Sequence, residues 1–184
     1  MRITPQTISD VLLVTPERQG DERGWFMESF RKSALAEAGF AREFVQDNQA
    51  FSARAGTVRG LHFQIAPHAQ DKLIRVTRGA ILDVAVDLRP GSPSFGRHVA
   101  AELSAANLGQ LLVPRGFAHG YQTLSDDCEV SYKVTAYYAP RAERGLLWSD
   151  PVLGVAWPIP PERAQVNARD RAWPTLEGLG DLAF

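Results

Sequence analysis

Lys72-Leu-Ile-Arg-Val-Thr-Arg-Gly-Ala-Ile-Leu-Asp-Val-Ala-Val-Asp-Leu88 consists of two apolar runs broken once, at Arg78-Gly79. Both runs are rich in Val, Ile and Leu, and each has the length of a strand. The break carries the residue best suited to a sharp reversal, so the segment predicts a hairpin of Lys72–Thr77 with Ala80–Leu88. Arg89-Pro-Gly-Ser-Pro93 then closes the second strand. The same texture spreads outward in both directions. Residues 8–14, 57–64, 96–103, 110–113, 118–124 and 128–136 read as further strands, at the spacing of an all-β sandwich or barrel. Helix is scarce. Residues 33–38 predict one short helix, with Ser33 as its N-cap and Gly39 as its stop, and Pro160-Pro-Glu-Arg-Ala164 starts a further turn. No repeat, linker or low-complexity stretch divides the chain, which reads as one domain over 1–184. The Gly-rich end, Trp173 to Phe184, is expected to pack loosely.

The 184 residues suffice to bury roughly two-thirds of the unfolded surface. Hydrophobic residues make up 45% and charged residues 22%, ordinary values for a globular protein. With 20 basic and 21 acidic residues the net charge is −1. No basic field is available to hold nucleic acid, so no nucleic-acid partner is expected. The longest apolar run, Ala80 to Val86, is interrupted by Asp83 and is far short of a membrane span. A single cysteine, Cys128, precludes an internal disulfide and suits a reducing compartment. With no secretion-type leader at Met1-Arg-Ile-Thr, the expectation is a cytoplasmic protein without a membrane partner.

The four histidines are His62, His68, His98 and His119. None forms a His-x-His pair, which would set two imidazoles on one strand face. Pro114-Arg-Gly-Phe-Ala-His119 does resemble the Pro-x-Gly-x-x-His element of cupin barrels, where a turn delivers a histidine at the start of a strand. The other cupin motif is missing, so a metal site is not expected, because about three protein ligands are needed. His119 alone reads as a hydrogen-bonded core histidine. In a regular strand His62 shares a face with Gly60 and Gln64, opposite Leu61 and Phe63, and Arg59 points away from it unless Gly60 marks a bulge. Tyr132 lies between Val130 and Val134 and reads as core. Lys72 reads as an exposed strand-end lysine, and Asp170 as a loop aspartate capping amides. Taken singly, each candidate has an ordinary structural explanation.

Taken in order, they form a set. Asp21-Glu-Arg-Gly-Trp-Phe-Met-Glu28, Gln46-Asp-Asn48, Arg59-Gly-Leu-His-Phe-Gln64, Lys72, Pro114-Arg-Gly-Phe-Ala-His-Gly120, Tyr132-Lys133 and Trp148-Ser-Asp-Pro151 closely resemble the dTDP-4-dehydrorhamnose 3,5-epimerase family. The resemblance runs from about Asp10 to Pro174. It implies a cupin-like jelly-roll β-barrel with a few short helices, a homodimer with exchanged N-terminal strands, and no metal or organic cofactor. The implied substrate is dTDP-4-dehydro-6-deoxy-glucose, whose carbons 3 and 5 beside the 4-keto group are inverted. Protons next to a ketone are weakly acidic, so their removal needs a base at hydrogen-bond range. His62 matches the family's base and Asp170 its carboxylate partner. Lys72 matches the enolate stabiliser, and Tyr132 the acid that returns a proton from the opposite face. Arg23, Glu28, Gln46, Asp47, Asn48, Arg59, His119, Glu143 and Arg169 match substrate contacts, with Phe26 and Tyr138 as stacking or apolar contacts. Arg23 and Glu28 are expected to serve the neighbouring subunit's site.

Three positions depart from the family's habit. Phe63 stands where Tyr is common, Arg169 where Lys is frequent, and Tyr121 where Phe is frequent. The first removes a hydroxyl near the base and the second keeps the charge, and neither touches the acid–base set; the departures leave open whether one carbon or two are inverted. A single-centre epimerase or keto-isomerase on a related dTDP-keto-sugar is the nearest alternative. A non-catalytic sugar-nucleotide-binding cupin is disfavoured, since it has no use for base, acid and enolate stabiliser together.

Overall fold

A computed structural model describes residues 1–180 and 182–184. Across one sheet run β1 (Arg2–Pro5), β2 (Leu12–Thr15), β10 (Gln110–Val113), β7 (Lys72–Arg78), β12 (Cys128–Val134) and β5 (Gln46–Ser52). Across the other run β13 (Glu143–Gly145), β6 (Val58–Gln64), β11 (Phe117–Thr123), β8 (Ala80–Asp87) and β9 (His98–Ser104). Every pairing within these sheets is antiparallel. This is the cupin-like jelly roll. A third, two-stranded unit, β3 (Arg18–Asp21) with β4 (Gly24–Met27), pairs only with itself.

Strand alternation puts one row of apolar side chains from each sheet into the space between them. Ile74, Val76, Val130, Ile81, Ala85, Leu103 and Phe117 form that inner core. A second core on the far side of the five-stranded sheet joins Val58, Leu61, Phe63, Val84 and Val86 to Trp148 and Leu153. A third seats the short helix α1 (Lys32–Glu37) on the outer face of the six-stranded sheet, through Leu35, Phe40, Leu73 and Leu112.

Most expected strands are present, and four features differ. The segment 72–88 is not a hairpin: β7 pairs with β10 and β12, while β8 pairs with β9 and β11 in the other sheet. Gly79, at φ +80°, is a corner between sheets, and a Cβ there would press on Cys128. Each run is apolar along most of its length because each is a central strand, which a two-stranded hairpin cannot satisfy. The first predicted strand begins only at Leu12, since Ile8 to Val11 turn back through Val11 N–H donating to Ile8 O. Helix α1 starts one residue early, with Arg31 at the N-cap and no side-chain cap, so Ser33 lies inside the first turn. The C-terminal stretch does not pack loosely. Leu176, Leu179, Leu182 and Phe184 lie on the second core, and Leu147 N–H donates to Pro174 O at 2.7 Å.

Candidate active site

Between the two sheets opens a cavity of about 380 Å³. Its wall is built by strand parity. On β5, Gln46, Asn48 and Ala50 line it, and the alternate residue Asp47 points outward to pair with Lys133 Nζ at 2.9 Å. Asp47, expected as a substrate contact, does not line this cavity. On β12, Tyr132 and Val134 line it, and Tyr132 reaches the cavity from among core valines.

Arg59 and His62 both line the cavity, although they have opposite parity on β6. The reason is a bulge. On β11, His119 pairs with His62 and Tyr121 with Arg59, so three steps on β6 match two on β11. Gly60 takes the irregularity at φ +120°, where a Cβ would come within 2.7 Å of both Gly120 Cα and His119 O. The bulge turns Arg59 inward, where Nε donates to Ser52 Oγ at 3.2 Å and Nη2 to Phe51 O at 2.8 Å.

His62 Nε2 lies 2.7 Å from Asp170 Oδ1, and Asp170 is fully buried. The carboxylate accepts further hydrogen bonds from Gly60 N–H at 3.2 Å and Trp173 Nε1 at 3.3 Å. Burial would raise the Asp170 carboxyl, but the bond from His62 and its charge, with those from Gly60 and Trp173, hold it below the usual range. An ionised Asp170 places the imidazole proton on Nε2 and leaves the Nδ1 lone pair free as a base. The residue sits in a one-turn helix α2 (Ala168–Arg171) capped by Asn167 Oδ1, which accepts Asp170 N–H at 2.7 Å. The loop reading of Asp170 thus gives way to a short helix whose side chain serves His62.

Lys72 is buried, not an exposed strand end, and its Nζ donates to His62 O at 3.1 Å. Burial pulls its ammonium down to about 8, against the opposing pull of Asp83 and Glu143. His119 is also buried, with Nε2 2.7 Å from Asp83 Oδ1. Burial pushes its pKa down, against the charge and hydrogen bond of Asp83. The cavity floor therefore holds two neighbouring histidines, each on its own buried carboxylate.

At the rim, Glu143 Oε2 accepts from Tyr138 OH at 2.8 Å and from Arg169 Nη1 at 2.7 Å. Gln46 Oε1 accepts Tyr138 N–H, and Gln46 Nε2 donates to Asn48 Oδ1. Arg23, Phe26 and Glu28 are elsewhere. Arg23 pairs with Asp21 and Glu28 with Arg31, while Phe26 is 72% exposed on the β3–β4 hairpin. One chain alone does not bring these three to its own cavity.

The sequence reading of the chemistry passed over the lining residues Gln70 and Asn167, over Asp83 behind His119, and over Trp173, packed edge-on against His62 at 6.3 Å between ring centres. Asp83 left a signal, a lone carboxylate inside the apolar run 80–86. Phe63 packs in the second core, its ring 5.6 Å from that of Phe184, and it also borders the cavity. Among the described residues there is no group of three or more His, Cys, Asp or Glu side chains placed to hold a metal ion.

A family profile described as dTDP-4-dehydrorhamnose 3,5-epimerase matches residues 5–178. The chain belongs to that family. Among dTDP-4-dehydrorhamnose 3,5-epimerases, the one from Sinorhizobium fredii is 53% identical over 152 residues, 83% of this chain and 78% of the relative. The crystal structure of the Bacillus anthracis enzyme, with TDP and pyrophosphate bound, superposes with a TM-score of 0.91 at 46% identity, covering 95% of this chain and 98% of that one. The Legionella pneumophila 3,5-epimerase, in complex with dTDP-4-keto-L-rhamnose, gives 0.92 at 40% identity, covering 99% and 97%.

Proposed function

We propose that the cavity takes the sugar ring of dTDP-4-dehydro-6-deoxy-glucose and inverts carbons 3 and 5 through an enolate, giving dTDP-4-dehydro-L-rhamnose. The chain is an isomerase of the dTDP-4-dehydrorhamnose 3,5-epimerase family, and membership supports that substrate. The observation that carries the division of labour is a single cavity lined by a carboxylate-bound imidazole, a buried ammonium and a phenol: His62, Lys72 and Tyr132. His62 Nδ1 takes the proton next to the ketone, and the C–H electron pair moves onto the keto oxygen. Asp170 holds the resulting imidazolium. Lys72, poorly hydrated in the wall, stabilises the enolate oxygen more strongly than a solvated lysine does. Tyr132 returns a proton from the other face of the ring, which inverts the carbon. No step calls for a metal or organic cofactor.

Arg59 supplies charge for the pyrophosphate. The rim residues Tyr138, Glu143, Arg169, Gln46 and Asn48, with His119 on the floor, supply nucleotide and sugar contacts. Arg23, Phe26 and Glu28 act on the site of a second copy, through the hairpin that pairs only with itself, so the working unit is a homodimer with exchanged N-terminal strands. We take the chain as one domain acting in the cytoplasm, which suits its single buried thiol, Cys128. Among the described residues, no helix is long and apolar enough to cross a membrane.

Incubation with dTDP-4-dehydro-6-deoxy-glucose in deuterated water tests the proposal. Deuterium at both carbons 3 and 5 by NMR is the expected result, with His62→Ala abolishing exchange in a folded protein. Label at one carbon only would replace the double epimerase with a single-centre enzyme, and no label would remove this substrate.

A further inference from the structure

Among the described residues, two buried side-chain polar atoms have no hydrogen-bond partner: the Tyr121 hydroxyl and Asp83 Oδ2. Tyr121 lines the cavity, and Asp83 sits behind it on His119, which also lines the cavity. Tyr121 and Asp83 are directly opposed across β11 and β8, so their side chains leave the same face of the sheet. Tyr121 is 4% exposed and lines the cavity together with Tyr132 and Arg59. Its ring packs in the inner core, against which Tyr132 also rests. Burial raises the Tyr121 phenol, and the groups acting on it are Arg59, Tyr132, Asp83 and Cys128.

A buried hydroxyl without a partner costs about 1–3 kcal/mol, and Phe of the same shape avoids that cost. A cost of that kind persists when the hydroxyl is used in another state of the molecule. The reaction supplies such a state. When Tyr132 gives its proton to the substrate carbon, its O–H bond breaks, the new C–H bond forms, and the electron pair stays on the Tyr132 oxygen. That phenolate is half-buried, and burial disfavours it, with Glu143 and Tyr138 adding to the penalty and Arg59 opposing it.

We propose that Tyr121 is a positioning residue for the acid of this site: its uncommitted hydroxyl donates a hydrogen bond to the phenolate that Tyr132 becomes on reprotonating the sugar. The inference rests on the assignment of Tyr132 as the acid. No proton changes owner between the two tyrosines. The bond forms as charge develops on Tyr132, so it lowers the barrier to reprotonation and leaves substrate binding and His62 untouched.

The test is Tyr121→Phe, measured beside Tyr132→Phe. With a bond to a charged oxygen at stake, kcat in Tyr121→Phe should fall about tenfold with KM unchanged. In deuterated water, substrate recovered from that variant should carry more label per product formed, since proton removal outruns proton return. Thermal unfolding should occur at the same temperature or higher, because an unpartnered hydroxyl has been removed. A kcat within about twofold of the parent overturns the proposal, whether or not stability changes; lowered stability with unchanged kcat would assign the hydroxyl to Asp83 instead. If Tyr132→Phe keeps full turnover, the acid assignment itself falls. Loss in Tyr132→Phe with no loss in Tyr121→Phe sinks only this inference.

Discussion

Asp170 lies 108 residues from His62 in the chain and 2.7 Å from it in space. That contact, more than the imidazole itself, separates His62 from a solvated histidine, because it selects the tautomer and orients the ring. Lys72 shows what burial does to a side chain that reads as ordinary. Its charged form is disfavoured in the fold, with a pKa of about 8 against 10.5 in the open chain. The sign follows. Between these values the unfolded chain binds the proton and the folded one does not, so the contribution of Lys72 to stability rises with pH across that window. In the proposed mechanism activity moves the other way, since an enolate stabiliser must be charged. We expect kcat/KM to decline as pH rises through about 8. Lys72→Arg, which cannot deprotonate, should move that limb to higher pH while lowering the maximum. An alkaline limb that stays in place in Lys72→Arg would belong to another group.

Elements decide which side chains share the cavity. A regular β6 would have placed Arg59 and His62 on opposite faces, and the bulge at Gly60 puts both inside. The crossing of β6 and β11 there is close enough that neither Gly60 nor Gly120 has room for a Cβ. Gly60→Ala combines a φ of +120° with contact against the β11 backbone. We expect it to destabilise the protein by about 3 kcal/mol. Urea unfolding checks this as a lower midpoint at unchanged slope, and activity should fall further than stability as Arg59 turns outward. Full activity in Gly60→Ala would mean that the bulge does not position the site. The corner at Gly79 acts on a larger piece in the same way, sending β7 to one sheet and β8 to the other. Lys72 on β7 and Asp83 on β8 therefore come from different sheets, near enough for the Asp83 charge to act on the Lys72 ammonium.

At the scale of the whole molecule, the β3–β4 hairpin is the piece without a home. Trp25 and Phe26 are 55% and 72% exposed there, next to Arg23 and ahead of Glu28. Adjacent large apolar side chains in water on a two-stranded unit suit a docking surface. If the hairpin completes the site of a second copy, defects in different subunits should complement each other. Arg23→Ala with Phe26→Ala in one chain and His62→Ala in another should each depress activity alone. After the two are mixed and allowed to exchange subunits, activity should recover, because one composite site per dimer is then intact. Absence of recovery, with mixed dimers verified by mass spectrometry, would place Arg23 and Phe26 outside the site.

The sequence by itself determined the β class, most strand positions and, through the ordered motifs from Asp21 to Pro151, the family. Those signals are local: strand-length apolar runs, glycine and proline breaks, and residue types whose order survives without coordinates. The tertiary structure alone decided which runs pair, that Asp47 faces outward while Asn48 faces in, and that the C-terminal leucines close the second core. It also decided that Asp83 lies beneath both His119 and Tyr121. Each of these depends on contacts between segments distant in the chain, where packing and the completion of buried hydrogen bonds choose among arrangements that local propensity leaves equivalent.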